Sequence, residues 1–80
     1  MHDKTINPNT ITGKINTTAI ELLSKNPDGL RWTDLSNQIK ESDPNLHPKT
    51  VNGCVWLLAE NFPSKVYKPE KGLFRHTQFK

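Results

Sequence analysis

The sequence predicts an α+β domain in which three helices pack with a small antiparallel sheet, in the order α-β-α-α-β-β. Three observations carry this. Apolar residues recur at helical spacing in three separate stretches. Two strand-like runs near the C-terminus, "SKVYK" and "LFRHTQF", are joined by the turn-forming "PEKG". Proline or glycine lies between the successive stretches and ends one before the next begins.

Residues 1–11 are polar, carry an Asn-Pro break and show no periodicity, so they read as a flexible N-terminal tail ahead of a domain at 12–80. The first helix is expected over 13–25, capped by Thr12. Ile15, Ala19, Leu22 and Leu23 make its buried face. "KNPDG" ends it, because Pro27 disfavours helical geometry at Asn26 and Gly29 suits a turn. "GLRW" is a short extended piece, with Trp32 expected in the core beside Leu30. Thr33 is the expected cap of a second helix over 33–41, and Asp34 lies where the helix dipole favours negative charge. "ESDPNLH" is a loop with Leu46 as its apolar anchor. His47 is a mediocre cap, and Asp43 or Asn45 could cap a short preceding turn. Pro48 fits the first turn of a third helix, expected over 48–61 and stopped by Pro63. The hairpin follows, with Val66 and Phe74 inward. A proline early in its turn and a glycine at its end suit a type I turn closed by a left-handed residue.

A chain of 80 residues with 32% apolar content has little core material to spare. Its single cysteine, Cys54, allows no intrachain disulfide, which suits a reducing compartment. The longest apolar run, "CVWLLA", is far too short to span a membrane, and "MHDKTINPNT" has no signal-peptide core. The expected location is therefore cytoplasmic (nucleoid-associated) or nuclear, not secreted. Charge is uneven. Residues 1–63 carry six basic and seven acidic side chains, a net of −1. Residues 64–80 carry Lys65, Lys68, Lys71, Arg75 and Lys80 against Glu70, a net of +4. A local basic patch on a near-neutral body points to a polyanion. The alternative is a lysine-rich hairpin that protects an edge strand from aggregation.

The third helix carries the sharper signal. At about 100° per residue, Val55, Leu58, Phe62 and Cys54 all fall within about 60° of Val51 and form the core stripe. Asn52, Trp56, Lys49, Glu60 and Gly53 fall between about 100° and 200°, on the outward face. A mid-helix glycine costs about 1 kcal/mol relative to alanine. Either a ligand backbone or another element of the chain comes close at Gly53. Trp56 either contacts a partner or covers the base of the hairpin on Tyr67 or Leu73. Lys49 and Asn52 are either base and phosphate readers or an ordinary solvated face. No metal-ligand spacing, phosphate loop or nucleophile motif is present, so no cofactor, metal or catalysis is expected.

Two helices followed by a basic hairpin is the connectivity of a winged helix-turn-helix. "AIELLSKNPDGLRWTDLSNQI" with "HPKTVNGCVWLLAENFPSKVYKPEKGLFR" resembles that superfamily over residues 15–76, and is most similar in style to its HARE-HTH branch. The resemblance implies a DNA-binding module of the kind attached to restriction, chromatin and polymerase-associated proteins, with a role in transcription regulation. More narrowly, "VNGCVW" looks like the third helix of Z-form nucleic-acid-binding domains. Pro48 and the absence of a proline-proline-x-tryptophan wing depart from that pattern.

The expected function is double-stranded DNA binding. The third helix would enter the major groove with Lys49, Thr50, Asn52, Gly53 and Trp56 near bases or sugars. Lys65, Lys68, Lys71 and Arg75 would hold phosphates. Four neutralised phosphates predict a slope of about −3.6 for log K against log salt. The alternative is a protein-protein interaction module, free-standing or part of a larger parent protein, with Trp56 and Leu57 as anchor. Glu60 mildly favours that alternative, because it would repel phosphate.

Overall fold

The computed structural model describes residues 5–7 and 9–80. Helix α1 spans Ile11–Ser24. It starts earlier than the sequence suggests, and Thr10 rather than Thr12 caps it, its hydroxyl oxygen accepting from the Gly13 N–H at 2.9 Å. The reason lies upstream. The Asn7 carbonyl accepts from both the N–H and the hydroxyl of Thr10, and it sits where a side chain on Gly13 would otherwise be. Ile6 packs against the core, so ordered packing reaches into the expected tail. The rest of that tail, residues 1–4 and 8, lies outside the described residues.

Strand β1, Leu30–Arg31, leads directly into helix α2, Trp32–Ser42. Thr33 does not cap this helix. The cap position is Arg31, which makes no side-chain cap bond. The sheet does the capping instead, since the Trp32 N–H donates to the Gly72 carbonyl across the sheet at 2.8 Å. Asp34 lies in the first turn, as the dipole favours.

Asp43 organises the α2–α3 loop. Its carbonyl accepts from Leu46 and its carboxylate from the Asn45 N–H. His47 then caps helix α3, Pro48–Trp56, through Nδ1, which accepts from the Lys49 N–H at 3.2 Å, with Pro48 in the first turn. The single helix expected over 48–61 is broken at Leu57 and resumes as α4, Leu58–Asn61. Leu58, the first residue of α4, and Phe62, just after its last, are buried while Leu57 stays exposed. Pro63 then disfavours helical geometry at Phe62 and stops the helix.

Strands β2, Val66–Glu70, and β3, Leu73–His76, form the hairpin. The sheet order is β1-β3-β2, antiparallel throughout. Two boundaries differ from the sequence reading. Pro69 belongs to β2 rather than to the turn. Tyr67 pairs with Arg75 and Glu70 with Leu73, so Lys68 and Pro69 together oppose Phe74 in a bulge. Thr77–Phe79 is a 3-10 turn instead of strand, capped by His76 Nδ1 accepting from the Gln78 N–H. Gly72 closes the hairpin turn in the expected left-handed conformation, with φ 77°.

The architecture is thus α+β in the expected winged-helix order, with the third helix in two pieces. Ile15, Ala19, Leu23, Leu35, Ile39, Val51, Val55, Leu58, Phe62, Val66 and Phe74 form one buried core. Each helix and both strands of the hairpin contribute to it. The turn after α1 fits closely against β3 at Gly29, which has φ 82°. A Cβ there would lie 2.5 Å from the Phe74 carbonyl oxygen. Gly29→Ala is therefore expected to lower unfolding free energy by roughly 2–4 kcal/mol, from backbone strain plus displacement of β3. Urea denaturation followed by circular dichroism measures this, and an unchanged midpoint would contradict the fit.

Candidate nucleic-acid interface

The outward face of α3 is open. Lys49, Thr50, Gly53 and Trp56 are exposed. Among the described residues nothing lies within 4 Å of where a Cβ on Gly53 would sit, so none of them uses the glycine for close packing. Asn52 is half-buried. Its Oδ1 is shielded from solvent and has no hydrogen-bond partner among the described residues.

Trp56 is 36% exposed, and the rest of its ring is held by two aromatics. The Trp32 ring lies 5.4 Å away, centroid to centroid and tilted by 36°. The Phe74 ring lies 6.1 Å away in an edge contact. These partners are not the expected Tyr67 and Leu73. Those two residues share the other face of the sheet, because alternation puts Tyr67, Leu73 and Arg75 opposite Phe74. Trp32 is likewise not a wholly buried core residue. It is half-buried, touches Trp56, and its Cδ1 would be 3.3 Å from a Cβ on Gly72. It joins the hairpin turn to the end of α3. The sequence pattern hid this, because Trp32 shares a helical stripe with Leu35 and Ile39 and reads as ordinary core.

The hairpin cations divide by sheet face. Lys68 Nζ lies 6.0 Å from the Phe74 ring centroid, on the Trp56 side. Lys71 is exposed in the turn at the tip. Lys65 is exposed at the far end of β2, just before Val66. Arg75 is on the opposite face and already engaged. Its Nε donates to the Pro27 carbonyl at 2.6 Å and its guanidinium to the Tyr67 hydroxyl at 3.0 Å. Lys80 is also on that face, with Nζ 5.3 Å from the Tyr67 ring centroid. The expected four-cation phosphate clamp is therefore not a single surface. Lys49, Lys68 and Lys71 remain around the α3 face, with Lys65 apart from them and Arg75 behind the sheet.

Acids do little to offset those lysines. Glu70, the sole acid of residues 64–80, pairs with Arg31 at 3.3 Å. The other ion pair among the described residues is Lys25–Glu21, within α1. Lys49, Lys65, Lys68 and Lys71 have no acidic partner among them. Glu60 is exposed on α4, beyond the break at Leu57. Cys54 is half-buried. Burial pushes its thiol above the usual value, partly offset by a hydrogen bond with the Thr12 hydroxyl. Among the described residues no enclosed pocket opens and no three His, Cys, Asp or Glu side chains converge on a metal position.

No family model matches the chain, and neither the curated proteins nor the solved structures contain a significant match to it.

Two substitutions test this description. Gly53→Ala is expected to raise stability by about 1 kcal/mol, since the methyl enters open space and helix propensity improves. Thermal or urea unfolding reads the change, and a loss of stability would mean that the site is not open. Arg75→Ala is expected to cost about 1–2 kcal/mol by leaving the Pro27 carbonyl and Tyr67 hydroxyl without their partner. An undiminished urea midpoint would show that these bonds contribute nothing.

Proposed function

We propose that this chain is a non-catalytic DNA-binding module of winged-helix type, in the style of the HARE-HTH domains its motifs resemble. The N-terminal half of α3 enters the major groove, and the β2–β3 turn lies along the phosphate backbone. Lys49, Thr50 and Asn52 are the base and phosphate readers on the helix. Lys68 and Lys71 are the phosphate contacts of the wing, and Lys65 adds to the general positive field. The proposal assigns Arg75 to holding the wing in place rather than to the DNA. DNA binding implies residence with the chromosome, in a nucleoid or a nucleus.

One observation carries this reading. Among the described residues Lys49 on the exposed helix face and Lys68 and Lys71 on the wing have no acidic ion-pair partner, while the wing's one carboxylate, Glu70, is taken by Arg31. Three phosphate contacts, by Lys49, Lys68 and Lys71, predict a slope of about −2.7 for log K against log salt. Anisotropy titration of a mixed-sequence duplex measures the slope, and Lys68→Glu should weaken binding and flatten it. A slope near zero would sink the electrostatic basis. In an isotope-labelled titration both indole N–H resonances should move, because Trp32 touches Trp56.

A protein-interaction module is the second reading. Trp56 and Leu57 favour it, since they are adjacent and 36% and 45% exposed. In that case Trp56→Ala abolishes binding to the partner and Lys68→Glu leaves it intact.

A further inference from the structure

Gly53 is bordered on the surface of α3 by Trp56, three residues on, and Leu57, four residues on. Both are exposed, and the space above Gly53 is empty. The result is a shallow, open notch, a bare backbone floor with no described atom within 4 Å of the Cβ position, flanked at a greater distance by two apolar side chains. Lys49 stands one turn before it, and Lys68 Nζ lies 6.0 Å from the ring centroid of Phe74, which in turn contacts Trp56. We propose that this notch receives one unstacked nucleobase, extruded from or unpaired within a nucleic-acid duplex, with the adjoining phosphates held by Lys49 and Lys68. The proposal rests on the nucleic-acid reading above and narrows its ligand.

In a paired duplex each base face is covered by its neighbours, and only base edges and sugar-phosphate are offered to a protein. Neither is a good partner for a large apolar ring. A base out of the stack offers its π-face, and stacking on an aromatic side chain suits any base. Trp56 is also pre-set for this. Trp32 and Phe74 fix its ring, so little side-chain freedom is lost on contact. Its position agrees as well. Trp56 is the last residue of α3, so with the N-terminal half of the helix in the groove, the ring lies at the groove's edge. Finally, an exposed mid-helix glycine lowers stability with no packing in return. Space for a flat ring supplies the missing return.

The test compares a short paired duplex with the same duplex carrying one central unpaired 2-aminopurine, each made in DNA and in RNA. Binding of the full chain is followed by anisotropy and by 2-aminopurine emission at fixed low salt. The bulged duplex should bind roughly five- to hundredfold tighter on at least one backbone, the range that one stacked base contributes, and its emission should fall on binding. Preference on DNA, RNA or both identifies the source of the base. Gly53→Leu fills the notch at a position open to solvent, so its thermal midpoint should rise with the gain in helix propensity rather than fall, while the preference and the quenching disappear. Trp56→Leu should lose the quenching too. Equal affinity for paired and bulged duplexes would overturn the notch and leave DNA binding standing. A bulge preference that survives both substitutions would also overturn it. No binding to any of the four duplexes would overturn the nucleic-acid reading and the notch together.

Discussion

The attachment of the 27–32 segment to β3 is the constraint on which the rest of the surface depends. Arg75 bonds the Pro27 carbonyl, Gly29 nests against the Phe74 carbonyl, Leu30 and Arg31 pair with Phe74 and Leu73, and the Trp32 N–H bonds the carbonyl of Gly72, just before the strand. The last contact also supplies the N-terminal cap that α2 lacks in its own side chains. It places the Trp32 ring between the hairpin turn and α3, and so holds Trp56 at the surface. The angle between wing and helix is therefore set by backbone pairing in a strand of only two residues.

That dependence explains what was legible in the sequence. The periodic core was legible, since Ile15, Ala19, Leu23, Val51, Val55, Leu58 and Phe62 are buried where a 3.6-residue repeat puts them. The inward pair Val66 and Phe74 was also legible, and so was the outward exposure of Lys49, Gly53 and Trp56. Contacts between distant segments were not. Thr33 reads as a cap until the sheet supplies the bond instead. Arg75 reads as a free cation until Pro27 and Tyr67 occupy it. The bulge at Lys68–Pro69 has no local signature beyond the proline itself, yet it decides where the strand ends. Local patterns report what a residue prefers, whereas the bonds at Trp32 and Arg75 depend on Gly72 and Pro27, 40 and 48 positions away, and the bulge depends on the register of the facing strand.

Electrostatics on the α3 face illustrates the difference between stability and field. The Arg31–Glu70 pair is more than half exposed, and pairs of that kind contribute at most about 1 kcal/mol to folding. Its larger effect is to occupy the hairpin's single carboxylate. The lysines around α3 are then left facing solvent without a counter-charge, and the aromatic cluster between them gives that field a fixed apolar centre.

The Arg75–Pro27 bond joins residues 48 positions apart. Closing so long a loop costs entropy that only the finished core can repay. The helices and the hairpin can each begin from local contacts, whereas this bond has to wait for both. Arg75 is thus a clasp whose guanidinium engages the turn after α1 and Tyr67, tying two segments far apart in the chain to one side of the wing.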